Sequence, residues 1–91
     1  MKGEQMGIQE DFEKAAFDVT SLSQKPSNEV LLKLYACFKQ GSTGDVSGKR
    51  PGMLDIKGRA KFDAWNELKG TETESAKQKY IDLVNDLVAQ N

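Results

Sequence analysis

Two lysines stand where a lysine needs a reason. Downstream of Asp55, Lys57 and Lys61 fall one helical turn apart, on a face that also carries Ala64, Trp65 and Leu68. An ammonium inside an apolar stripe can snorkel past the core edge on its aliphatic stem. Alternatively, it can pair with an anion that a ligand brings to the seam. A second oddity lies upstream. On a helical wheel Cys37, Val30, Leu34, Phe38, Leu31 and Tyr35 form one apolar arc, with Lys39 directly beside Tyr35 and then Leu32. That arc is broader than one packing neighbour covers, so part of it faces a core while the Tyr35–Lys39–Leu32 edge lines an open groove. Aromatic faces beside a lysine suit a flat base and its phosphate, through stacking and charge-assisted hydrogen bonds. Aromatics at helical spacing also build cores, and Tyr80, at the centre of a later apolar face, reads first as core.

Other chemistries are poorly provided for. The 91 residues contain no histidine, which removes the usual base for a Ser or Cys nucleophile and the commonest transition-metal ligand. Cys37 is the single cysteine, so it makes no internal disulfide; it lies towards an apolar side, where packing is its simplest role. The glycine-rich stretch after Gly41 lacks the Gly-Lys-Ser/Thr ending of a phosphate loop. Asp45 and Asp55 do not have the spacing of a calcium loop, and Asp82 and Asp86 read as solvated surface. No metal or cofactor site follows from these residues. An enzyme is disfavoured.

The net charge of −1 conceals a segregated distribution. Residues 39–61 carry a net +4, residues 1–38 a net −2 and residues 62–91 a net −3. A local cationic zone on an acidic protein favours a small anionic ligand over nucleic acid, which normally meets a strongly basic face. Apolar runs are far shorter than a membrane span, and the start lacks the apolar stretch of a secretory signal. Together with the lone cysteine this predicts a cytoplasmic protein without stable membrane insertion.

Positioning these residues takes four helices. The first runs from Ile8 to about Leu22 through Phe12, Ala15, Ala16 and Val19, with Phe17 on the wrong side. Pro26 ends that pattern, and Ser27 or Asn28 can cap a second helix that stops near Gly41 or Gly44. Residues 41–54 form a loop of a length that is usually functional or disordered. Asp55 caps a third helix through Leu68, ended by Gly70. Thr71 and Glu74 have the spacing of a capping box for a fourth helix through Tyr80, Leu83, Leu87 and Val88. Nothing reads as a strand. One domain is predicted over residues 8–91, with residues 1–7 a disordered N-terminal extension.

Several short motifs lie on this frame: Tyr35-x-x-Phe38-Lys39-Gln40, Thr43-Gly44-Asp45, Arg50-Pro51-Gly52-Met53, Lys57-Gly58-x-Ala60-Lys61 and Asp63-Ala64-Trp65-Asn66. In combination and spacing they resemble the acyl-CoA-binding protein family, with similarity over roughly residues 10–90. The resemblance implies an all-α four-helix bundle of up-down-down-up topology, acting as a monomeric, non-catalytic carrier or buffer. Its ligands would be medium- to long-chain acyl-CoA thioesters, held without a cofactor. It also implies residue roles. Tyr35, Lys39 and Lys61 would hold the ribose 3′-phosphate, and Phe38 would stack on adenine. Tyr80 matches a further nucleotide-contacting tyrosine and Lys57 a lysine near the ligand, while Ala15, Ala16 and Ile56 fall where a groove wall is expected. Phe38 stands where the family usually has tyrosine, and Thr20 where lysine is common, which removes one possible ligand contact. Ile56 and Phe62 replace larger or aromatic residues. The rival readings are an interaction module that keeps the fold without the ligand, and an enzyme acting on acyl-CoA.

Overall fold

The computed structural model describes residues 7–91, so the predicted extension lies outside the described residues except for Gly7. Four helices follow in order: α1 (Ile8–Asp18), α2 (Asn28–Ser42), α3 (Ile56–Asn66) and α4 (Thr73–Gln90). A 3-10 turn, Val19–Ser21, extends α1 where a continuous helix to Leu22 is expected. No described residue is in a strand.

Paired contacts give the directions. The end of α2 meets the start of α4, where the buried Gln40 side chain donates to the Thr71 carbonyl at 2.8 Å, so these two helices are antiparallel. On the other side of α2, Lys61 lies over Tyr35 and Trp65 beside Lys39, so α2 and α3 run parallel. Phe12 of α1 meets Tyr80 of α4, and Asn91 accepts from Ser23 near both C-terminal ends, so α1 and α4 are parallel. The topology is up-down-down-up. In space α4 lies between α1 and α2, and α3 packs on the far side of α2 alone. The result is a slab of 52 × 30 × 15 Å.

Parallel α2 and α3 explain the length of the connection between them. The chain leaves the end of α2 and must return along the whole helix before α3 can start beside its N-terminus. A two-residue turn cannot do this, whereas 13 extended residues reach roughly 40 Å. The exit is made by Gly44, whose φ of +97° places it in the left-handed region while its N–H closes on the carbonyls of Lys39 and Gln40.

The core joins α1, α2 and α4: Phe12 and Ala15, Leu34 and Cys37, and Tyr80, Ile81 and Val84. α2 and α4 approach closely at Gly41, where a Cβ would come within 3.0 Å of Lys77 and 3.3 Å of the Phe12 ring. α3 contributes no buried residue. Two helix ends differ from the sequence pattern. α3 stops at Asn66, and Leu68 and Lys69 close tighter turns onto Trp65 and Asn66. The capping box does not form: α4 starts at Thr73 after Glu72, with no side-chain cap, while the Thr71 backbone bonds with Leu68 and Gln40.

Candidate functional site

Two stripes face each other across the α2–α3 seam. α2 presents Asn28, Leu31, Leu32 and Tyr35, the i, i+3, i+4, i+7 set of one helix face. α3 presents Ile56, Lys57, Ala60 and Lys61, again one face. Between them lies a groove of about 370 Å³, lined also by Lys25, within the size range of small-molecule sites. Its walls are aliphatic and its lip is cationic. The Lys61 ammonium sits 5.4 Å from the centre of the Tyr35 ring, within cation–π range. Lys61 therefore snorkels over an aromatic face while its head stays exposed and able to meet an anion.

The remaining predicted residues divide between the two sides of α2. Lys39 lies one turn beyond Tyr35, with its ammonium 5.0 Å from the Trp65 ring centre. Phe38 turns the other way, into an aromatic trio: it stacks on Phe12 with centroids 5.2 Å apart and tilts against Tyr80 at 5.6 Å. Phe38 keeps 36% of its surface exposed, whereas Tyr80 is buried and its phenol is pushed up from its ordinary range by desolvation. Phe38 thus has one ring face packed and surface left to offer. Ala15 is buried in the core and Ala16 packs against it; neither lines the α2–α3 groove, since α1 does not reach α3. Thr20 is exposed, and its hydroxyl donates to the Phe17 carbonyl at 2.7 Å. The structure therefore gathers Tyr35, Ile56, Lys57 and Lys61 around one groove, places Lys39 and Phe38 on the adjoining turn of α2, and leaves Ala15, Ala16 and Thr20 apart.

Because α3 buries no side chain, polar pins hold it. The Asp45 carboxylate accepts from the Gly70 N–H and the Gln40 amide, both at 2.8 Å, and these bonds hold its pKa below the usual carboxylate range. The Trp65 indole donates to the Gly44 carbonyl at 2.8 Å. Arg50 grips Asp63 in a two-point pair at 2.8 and 2.7 Å, which lowers the Asp63 pKa. Arg59 donates to the Pro51 carbonyl, and Asp55 caps α3 by accepting from the Gly58 N–H. A Cβ at Gly58 would push against the Asp55 carboxylate in its present rotamer, so a larger residue there would shift the cap. At Cys37 burial pushes the thiol up, only partly offset by Lys79 and Lys33, which suits packing and not nucleophilic chemistry. Among the described residues no group of His, Cys, Asp or Glu could hold a metal ion.

A family model described as acyl CoA binding protein matches residues 9–84. The chain belongs to the acyl-CoA-binding protein family. It is 49% identical over 83 residues to the acyl-CoA-binding protein homolog of Drosophila melanogaster, covering 91% of this chain and 96% of that relative. It is likewise 49% identical over 79 residues to acyl-CoA-binding protein homolog 1 of Caenorhabditis elegans, covering 87% and 92%. The crystal structure of Oryza sativa acyl-CoA-binding protein 2 superposes with a TM-score of 0.88 at 39% identity, covering 92% of this chain and 93% of that one. Among the described residues no helix is long and apolar enough to cross a membrane.

Against the family motifs, the structure separates two kinds of residue. Gln40, Asp45, Arg50, Asp63 and Trp65 pin the crossover loop and α3, while Tyr35, Lys57 and Lys61 present their heads to the groove. Sequence reasoning placed Leu32 at an open edge but missed Lys25, Asn28 and Leu31 as groove residues. The signal was available in the 28/31/32/35 spacing, which marks one face once the neighbour of that face is known.

Proposed function

We propose that this family member holds medium- to long-chain acyl-CoA thioesters without converting them, as a carrier or buffer. The observation that carries the proposal is the cationic lip on an aliphatic groove: Lys61 over Tyr35, with Leu31, Leu32, Ile56 and Ala60 behind it. The acyl chain lies in the groove, where each buried methylene contributes about 0.8 kcal/mol, so ten methylenes contribute on the order of 8 kcal/mol before ordering costs. The 3′-phosphate is met by Lys61, Lys39 and the Tyr35 hydroxyl, with Lys57 adding positive potential at the groove mouth. Adenine stacks on the open surface of Phe38, which offers a ring face but no hydroxyl. Tyr80 supports that ring from beneath.

No step of bond making is assigned, because no activated nucleophile or poised base faces the groove. The thioester is shielded and delivered intact. Titration calorimetry with a series of acyl-CoA chain lengths tests the reading: affinity rises with length, and free CoA binds far more weakly. Equal affinity for free CoA and palmitoyl-CoA rejects the groove. No heat with any member of the series leaves the fold as an interaction module. Loss of thioester over hours in the complex, beyond the buffer rate, makes the protein an enzyme.

A further inference from the structure

The crossover loop carries an apolar tip that folding does not use. Met53 is 79% exposed and Leu54 is 99% exposed, and Ile56, at 77%, follows at the start of α3. Disorder does not explain this exposure, because the backbone is held on both sides of the tip. Arg59 donates to the Pro51 carbonyl at 2.8 Å, Arg50 pairs with Asp63, and the Asp55 N–H closes a turn onto the Gly52 carbonyl at 3.0 Å. Two large apolar side chains presented to water by a clamped loop mark a contact surface.

The surroundings select the occupant. Between residues 45 and 63 the chain carries five cations, Lys49, Arg50, Lys57, Arg59 and Lys61, against Asp45, Asp55 and Asp63, and with Arg50 paired to Asp63 the zone keeps a net +2. An apolar tip in a stretch of net positive charge, with Lys49 and Lys57 close by in sequence, is the combination that docks reversibly on an anionic bilayer surface, apolar groups entering the interface while lysines meet the headgroups. Three side chains cover far less than the ~800 Å² per partner that a stable protein interface needs. The tip also adjoins the groove, since Ile56 both follows Leu54 and lines the α2–α3 cleft. We propose that Met53 and Leu54 are a docking tip for an anionic lipid surface, with Lys49 as an electrostatic partner. One consequence rests on the acyl-CoA reading: a docked molecule opens its groove mouth at the bilayer, so an acyl chain passes between membrane and protein with little exposure to water.

The test uses the full chain without acyl-CoA, co-sedimented with phosphatidylcholine vesicles prepared with and without phosphatidylserine. Binding to the phosphatidylserine vesicles is expected, weakening as salt rises. The double variant Met53→Ser/Leu54→Ser should lower partitioning by about tenfold, and Lys49→Glu by a smaller factor. Both tip positions are exposed, so the melting temperature and the calorimetric affinity for palmitoyl-CoA in vesicle-free solution should stay at wild-type values. A paramagnetic lipid should broaden the amides of residues 52–56 before those of α4. The proposal is overturned by absent vesicle binding, by a double variant that sediments like wild type, or by broadening centred on another element. A dimer that Leu54→Ser dissolves would instead assign the tip to a second copy of the chain. Docking without any acyl-CoA binding in solution would retain the tip and reject the carrier function, so the two failures are distinguishable.

Discussion

Against α4, helix α2 packs Leu34 and Cys37 with Ile81 and Val84, and Gly41 lets the backbones close up. Against α3 the same helix meets a partner with no buried residue, held by a carboxylate pair, an indole hydrogen bond and a cation over a ring. The first contact is packed at its centre, and its stability comes from apolar burial. The second is wet at its edge and leaves Leu31, Leu32 and Ile56 around an unfilled groove. One helix thus separates the work of folding from the work of binding, and mutations on its two sides should report different quantities.

The largest effect belongs to the packed side. Phe12 is buried between Phe38 and Tyr80, and Phe12→Ala should cost about 3–5 kcal/mol of stability, measured by urea unfolding. A loss below about 1 kcal/mol would mean that the aromatic trio is not a core, and the division between the two sides would collapse.

On the wet side the order reverses. Lys61→Ala should weaken palmitoyl-CoA binding by about tenfold to a hundredfold, the range for a lost charge-assisted hydrogen bond, with stability within about 0.5 kcal/mol of wild type. Ile56→Ala, at a position 77% exposed, should be as mild for folding and cost about tenfold in affinity for long chains, but little for free CoA. A Lys61→Ala protein that melts early yet binds normally would make that lysine a structural prop.

Acid separates the two sides by another route. Asp45 and Asp63 are held below the ordinary carboxylate range by the Gly70 N–H with Gln40 and by Arg50, respectively. A lowered folded-state pKa contributes stability above the unfolded value, and that contribution disappears as pH falls through the folded one. Both groups are exposed pins of the crossover loop and α3, so acidification below about pH 4 should loosen that region first. Trp65, the single tryptophan, reports it directly through its bond to Gly44. Its emission should shift at a higher pH than the far-ultraviolet helix signal is lost, and Asp45→Asn should blunt the shift because the amide oxygen still accepts both bonds. Coincident transitions would show that α3 and the core unfold as one.

How far this division was legible in the sequence depends on the type of force. Apolar periodicity marks Phe12, Leu34, Tyr80 and Val84, and those residues form the core because burial is read by one helix at a time. The anomalous lysines were also visible, since a charge within an apolar stripe is conspicuous on a wheel. The parallel arrangement of α2 and α3 came from the family resemblance alone, because a wheel says which face is apolar and never what it faces. Hence Lys25, Asn28 and Leu31 escaped notice as groove residues. The pins escaped too: Gln40 to Asp45 and Thr71, and Arg50 to Asp63, join residues through tertiary geometry that no spacing rule encodes. Ala15 and Ala16 entered only through the family pattern; both sit on α1, which packs against α4 and does not reach the α2–α3 groove.

The smallest expected effect compares two helix starts that look alike in sequence. Ser27 precedes α2 and Thr71 precedes the α4 run, and each is a hydroxyl residue at a plausible cap position. Only Ser27 acts as one: its hydroxyl accepts from the Val30 N–H at 3.3 Å. At α4 the cap position falls on Glu72, whose side chain makes no cap bond, while the Thr71 carbonyl is taken by Gln40. Ser27→Ala should therefore cost about 1 kcal/mol. Thr71→Ala should stay within about 0.5 kcal/mol, because the contact that matters there is made by backbone that alanine retains. The converse result, with Thr71 costly and Ser27 neutral, would mean that α4 begins one residue earlier in solution, with a working capping box.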